Sequence, residues 1–387
     1  MNRAETIHTE NIENENTEGM YYEILANKYR NMRKFILVFL AVFLVFMIVF
    51  GYKDMKFSNF RYLFKYQSIN AFTLNDVYAD VIHSAGNGAS FALYKGDLAV
   101  LGEDKIALYR LDDELIYKDY TRGENHTLVA GNTYFAVYPT GGKTLSLYDS
   151  FSLVHEASFE FPVGLVSLCD SGAYAVYTKE KGSTVTVYNE SFSEVFRKTF
   201  SDRVVLDMAF SADGDRLAVL SVGVENGSFD SELRVFDVDS EDVLFTKIYP
   251  KKQAVDVEFF SDGKFFVSVG GTLCFYDRNG DEETEIFGFS SYAKEENRIA
   301  SYSTSGAIDV LSSEGKVLWS TAAEGAVSDI RLFDGAVYTV GDARVYVHRE
   351  ESDPSYSPVA AGVLDFFVAA DGSVILCYAA QTARAVP

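Results

Sequence analysis

Residues able to do chemistry are sparse in this chain and widely spaced. The five histidines, His8, His83, His126, His155 and His348, lie far apart, and none forms the short-spaced pair with which one element grips a metal ion. The three cysteines, Cys169, Cys274 and Cys377, fall in strand-like runs of different repeats. They have neither ligand spacing nor an even count, and read as buried free thiols. Two acidic strings, Asp237-Val238-Asp239-Ser240-Glu241-Asp242 and Asp277-Arg278-Asn279-Gly280-Asp281-Glu282-Glu283, bring carboxylates as close as a hard cation requires. Both also fall where a turn between strands is expected, and solvated turns are the preferred reading. There is no phosphate-cradling Gly-rich loop leading into a helix and no Gly-x-Ser-x-Gly elbow. The sequence assigns no catalytic, metal or cofactor residue.

Binding is better represented than catalysis. Net charge is −22 and the isoelectric point about 4.6, so the positive footprint of a nucleic-acid binder is missing. Against that background, three successive links between repeats carry basic residues: Arg122, then Arg203, then the pair Lys251 and Lys252. In a circular array these would form one arc of the rim or channel mouth. Arginine forks there would suit the carboxylates of an acidic partner or the phosphates of an anionic wall polymer. A second candidate is an insertion in one repeat, at residues 222–230, which makes Glu225, Asn226 and Phe229 possible contact residues on an exposed loop.

These residues need elements to position them, and two kinds are legible. Residues 35–50 (FILVFLAVFLVFMIVF) are uniformly apolar, and residues 51 and 52 extend the uncharged stretch. At 1.5 Å per residue this makes roughly 27 Å of helix, enough to cross a bilayer core. No small-residue cleavage site follows, so an uncleaved transmembrane helix at 35–52 is expected rather than a signal peptide. Lys28, Arg30, Arg33 and Lys34 precede the span and Lys53, Lys56, Arg61 and Lys65 follow it. The tighter upstream cluster places residues 1–34, a disordered to helical tail, in the cytoplasm and the large domain outside. Residues 53–76 form a juxtamembrane linker in which Phe57, Phe60, Arg61, Phe64 and Lys65 have the spacing of an amphipathic helix at the lipid headgroups. Sparse cysteine fits a bacterial envelope better than a disulfide-built ectodomain.

From residue 77 to the end the chain repeats one phrase: a Gly-containing turn, a short apolar run, a polar hairpin and an alternating strand. Eight apolar runs are visible, from 98–101 (LAVL) to 374–378 (VILCY). The strands that follow end at Tyr109, Tyr148, Tyr188, Phe236, Tyr276, Leu311 and His348, a period near 40 residues in which only the interval from Tyr188 to Phe236 is long. Four short strands per unit at this period predict an all-β fold, an eight-bladed β-propeller. Seven blades result if the weak first copy, 89–120, is incomplete. The last copy holds only three strands, and residues 77–82 are expected to lend it the fourth.

The phrases Phe210-Ser211-Ala212-Asp213-Gly214-Asp215-Arg216-Leu217-Ala218-Val219 and Phe260-Ser261-Asp262-Gly263-Lys264-Phe265 resemble the blade motif of WD40-like, TolB-like and lactonase-like propellers. Gly315-Lys316-Val317-Leu318-Trp319-Ser320 resembles a quinoprotein repeat. The overall layout is similar to an uncharacterised family of single-pass clostridial membrane proteins classed as a domain of unknown function. The resemblance implies a fold rather than an activity. A single Trp, and no Gly-His or Trp-Asp signatures, depart from true quinoproteins and typical WD40 blades, and no quinone cofactor is expected. The expected function is a non-catalytic, membrane-anchored module that binds another envelope protein or a wall polymer. The alternative is a hydrolase or lyase with its site in the central channel.

Overall fold

The phrase repeated eight times in the sequence becomes eight antiparallel sheets. The computed structural model describes residues 79–387 except 180, 181 and 226, together with residues 33, 34 and 36–39. The chain divides into two units, Met1–Thr73 and Leu74–Pro387. In the first, the described residues are helical and expose the side chains of Ile36, Leu37, Val38 and Phe39. The rest of the expected span at 35–52 lies outside the described residues, as do Phe57, Phe60, Arg61, Phe64 and Lys65. Among the described residues no helix is long and apolar enough to cross a membrane.

In the second unit, seven sheets have four strands and one has three, and each is a meander whose strands follow sequence order. The blades cover residues 90–120, 126–158, 163–200, 203–250, 254–287, 289–322, 329–358 and 365–385. The first copy is a complete four-stranded blade, which fixes the count at eight. The first strand of each sheet lies innermost. The last of these, Asp365–Val368, returns to the first, Ser90–Tyr94, so the ring closes.

The second strands show why the apolar runs lack alternation. Asp97–Leu101 and Phe265–Val269 are buried at every position, because each blade is covered on both faces by its neighbours. Leu98 and Val100 pack with Cys377 of blade 8, while Ala99 and Leu101 pack with Phe135 and Val137 of blade 2. The core is accordingly divided into eight apolar clusters, one per junction between blades. The cluster between blades 4 and 5 is large and rich in aromatics, with Tyr249, Phe259, Phe265 and Tyr276. That between blades 8 and 1 is the smallest: Ala85, Phe91, Leu98, Val100 and Cys377. All three cysteines are free and buried, Cys169 one residue beyond its strand.

The acidic strings are turns. Asp277 accepts the backbone N–H groups of Asn279 and Asp281, each at 2.8 Å, and Asp237 accepts those of Asp239 and Ser240. Gly280 holds a φ of 87°, and a Cβ there would strike the Phe245 ring, so only glycine fits the turn.

Blade 8 obtains help from the start of the domain, though less than a full strand among the described residues. Ile82 makes an isolated antiparallel bridge to Gln381. Val81 donates to the Thr382 hydroxyl at 2.9 Å and accepts from the Thr382 N–H at 3.0 Å, and the His83 N–H donates to Ala380 O. The same segment reaches blade 1, where the Ile82 N–H donates to Asp113 Oδ1 and the Ala79 N–H to Leu111 O. Val77 and Tyr78, the rest of the expected donor, lie outside the described residues. Thr382→Val should leave the buried Val81 N–H without its acceptor and cost about 1–3 kcal/mol, read as a lower urea midpoint with the slope unchanged.

Candidate functional site

The insertion in blade 4 is regular structure rather than a loop. Its two middle strands, Arg216–Glu225 and Ser228–Asp237, are each ten residues long and pair without interruption, so the hairpin rises above the ring. Val224 opposes Phe229 at the tip, and Val222 opposes Val204 two positions below. The link into blade 5 runs alongside, with the Lys251 N–H donating to Phe229 O at 3.1 Å. Val204, Val224 and Phe229 are exposed here, beside exposed Lys251 and Lys252. The Glu225 side chain and Asn226 lie outside what is described.

The basic arc does not assemble as the sequence suggested. Arg122 is exposed in the link between blades 1 and 2, and Lys251 and Lys252 lie between blades 4 and 5. The link between blades 2 and 3, residues 159–162, intervenes and carries Glu160 rather than a cation. Arg203 starts the innermost strand of blade 4 and is largely buried. Its guanidinium meets Asp230 at 3.1 Å, Glu232 at 3.1 Å and the Ser221 hydroxyl at 3.1 Å, tying the base of the hairpin together. Its fork is already occupied by carboxylates of its own blade. Only Lys251 and Lys252 stand next to Phe229.

A polar arrangement that the sequence did not reveal lies along the innermost strands. Asp207 of blade 4 is hydrogen-bonded to Asp256 of blade 5, Asp207 Oδ2 accepts the Val257 N–H at 2.9 Å, and the Tyr292 hydroxyl of blade 6 donates to Asp256. Burial, with the Asp207 carboxylate next to it, pushes the Asp256 carboxyl up to about 8. Burial raises Asp207 as well, so the pair shares one proton near neutrality. Glu258 is also raised by burial, against the pull of Lys294 at 3.3 Å. The Lys294 ammonium also donates to Phe259 O at 2.7 Å. Further round, Arg331 bridges Asp329 and Asp365, each at 2.8 Å. An open pocket of about 740 Å³ lies between blades 5 and 6, lined by Gln253, Val255, Asp256, Glu258, Phe289 and Tyr292.

These groups satisfy one another from blade to blade, as a brace does. Chemically, the protonated Asp256 is a proton donor facing a pocket. A sequence signal for the brace existed: Asp207, Asp256 and Asp365 each stand six residues before the aspartate of the following turn, Asp213, Asp262 and Asp371. Among the described residues no group of three or more His, Cys, Asp or Glu could hold a metal ion.

Two outcomes test this electrostatic layout. Arg203→Ala should leave Asp230 without its cation and Glu232 with Arg234 alone, in a mostly buried setting. The expected loss is about 3 kcal/mol by denaturant titration, more than an exposed cation could account for. For the brace, the native pKa of Asp256 lies above its unfolded value, so the folded protein keeps a proton that the unfolded chain has lost. Its contribution is fully present below about pH 4 and is lost as pH rises through about 8. Wild-type stability should fall across that window with a slope of up to about 1.4 kcal/mol per pH unit from this proton, and Asp256→Asn should flatten the slope.

Comparisons with known proteins agree with the architecture. The crystal structure of BamB from Moraxella catarrhalis is similar with a TM-score of 0.53 at 10% identity, covering 80% of this chain and 97% of that one. The Dos1 propeller gives 0.52 at 10% identity over 70% and 78%. The β-propeller domain of Cps50 (Swd1) from Myceliophteria thermophila gives 0.47 at 12% identity over 69% and 96%. At such identities the likeness to BamB and to the Dos1 propeller shows the propeller fold alone. No curated protein matches the sequence. A family description does: it matches residues 69–381, which take in seven blades and most of the eighth, and the chain therefore belongs to the family of unknown function DUF5711.

Proposed function

We propose that this protein is a membrane-tethered interaction module: a rigid propeller held outside the cell membrane that presents the end face of blades 4 and 5 to another protein of the envelope. The observation that carries this reading is the extended blade 4 hairpin, which lifts Val224 and Phe229 into solvent on the same sheet face as Val204. Apolar side chains gathered on one edge of an otherwise acidic domain are costly to leave in water and are a common mark of a docking surface. A wall polymer would make less use of an apolar centre. The tether rests on the apolar residues 35–52, and support from the described residues is limited to the exposed apolar side chains of helical residues 36–39. The basic residues at 28–34 favour an inside tail and an outside propeller.

A channel hydrolase or lyase is the second reading, favoured by the proton shared between Asp207 and Asp256 beside a pocket. We rank it lower because the observed carboxyl contacts already join three blades, leaving the interaction reading with the more accessible surface.

A photo-activated cross-linking residue placed at Val224 or Phe229 in intact cells should yield a discrete adduct. The same residue at Val317, equally exposed on blade 6, should yield none. Protease added to wall-stripped cells should degrade the propeller while sparing residues 1–34. Adducts from all three positions alike would remove the docking face, and a protected propeller would remove the orientation.

A further inference from the structure

The docking face has a composition that narrows its partner. Val204 is 43% exposed, Val224 72% and Phe229 45%, values that set them apart from the fully buried strands beneath. Strand register places Val204, Val222, Val224 and Phe229 on one face of the blade 4 sheet, since directly opposed residues and residues two apart share a side. That face looks toward blade 5, because Tyr249, Leu233 and Leu220 of the same sheet pack with Ala254 and Val257. The link carrying Lys251 and Lys252 is fastened to it through Phe229 O, and the Ala254 N–H is fastened to the Ser231 hydroxyl at 3.0 Å. The apolar centre and the two ammonium groups thus belong to one supported surface.

Neither lysine has an ion pair among the described residues, whereas Arg203, Lys247, Lys264, Lys294 and Arg331 are all paired with carboxylates. In a chain with a net charge of −22, two adjacent unpaired cations against an apolar centre are a local inversion of the surface field. Three exposed apolar side chains with a basic rim have the size of an anchor for a short segment and are too few for a dimer interface between two copies of the chain.

We propose that this surface docks an acidic peptide segment of another protein, with aliphatic or aromatic side chains seated between Val204, Val224 and Phe229 and carboxylates on Lys251 and Lys252. The proposal rests on the interaction reading above and adds the chemistry of the partner. A bilayer is disfavoured as the occupant, since the domain's charge opposes approach to anionic lipid. Charge complementarity then makes the lysines govern the association rate and its salt dependence, while the apolar anchors govern dissociation.

The experiment uses the full-length chain in nanodiscs of neutral lipid and a phage-displayed library of random peptides as the probe. Enriched peptides are synthesised and titrated by fluorescence anisotropy against wild type, a Val224→Asp/Phe229→Ser variant and a Lys251→Glu/Lys252→Glu variant. All three are checked for an unchanged melting temperature. The expected result is enrichment of acidic peptides containing large apolar residues. Their affinity should fall at least about tenfold in the first variant. In the second it should fall by a similar factor at low salt and lose its dependence on salt. Neutral or basic peptides that still require Val224 and Phe229 would overturn the acidic partner while leaving the docking face in place. Peptides indifferent to both variants would overturn both. No enriched peptide at all, with binding only to soluble anionic wall polymer, would overturn the peptide and assign the lysines to a polyanion.

Discussion

Everything in this molecule depends on apolar sheets stacked face to face in a closed ring. Each blade is too thin to hold a core of its own, and its second strand is buried only because a neighbour covers each face. Removing a junction would therefore expose two sheets at once. The eight clusters are unequal, and the thinnest lies between blades 8 and 1, where chain ends must meet. There the fold adds polar fasteners in place of apolar bulk: Val81 exchanges bonds with Thr382, and Ile82 reaches both Gln381 and Asp113. A junction formed between the two ends of the domain brings residues about three hundred positions apart together, so it carries the largest loop-entropy cost in the ring.

The fold was legible because burial on both faces writes itself into sequence as unbroken apolar runs. Leu98–Leu101 and Val374–Cys377 could be aligned by eye, and the strand ends at Tyr109, Tyr148, Tyr188, Tyr276 and His348 coincide with ends of third strands. The insertion was located correctly, but its nature was not. Ten-residue strands with polar residues such as Ser231 and Glu232 look like a loop until Arg203 and Arg234 supply the positive charge that the buried Glu232 requires. Arg203 itself looked available for a partner because its carboxylates come from 27 and 29 positions later, a pairing that only the register of three strands creates. The inner brace was hidden for the same reason. Asp207 and Asp256 hold the same place before the turns of their own repeats, but the ring alone makes them neighbours of each other and of Tyr292.

Charge is handled in two ways in so acidic a chain. At the surface, carboxylates such as Asp237 and Asp277 are held low by backbone N–H groups of their own turns, so they stay ionised and stabilise hairpins. Along the axis, where several inward strands each contribute an acid, ionising every group would be prohibitive. Asp207 and Asp256 share a proton, while Asp329 and Asp365 share an arginine. The same negative excess thus supports the rim and constrains the channel.

This division bears on how a small apolar face could bind at all. Three exposed side chains offer little area, so any affinity must come from holding them in a fixed arrangement before the partner arrives. The structure supplies that stiffness from below. The large aromatic cluster between blades 4 and 5 fixes the two blades together, Arg203 cross-links the hairpin's base, and the Lys251 and Ala254 amides fasten the intervening link to Phe229 and Ser231. The junction between blades 5 and 6, by contrast, opens into a pocket braced by Asp256 and Tyr292. Rigidity is concentrated beneath the hairpin, where a docking surface needs it, and the more polar, more open joint is set one blade away.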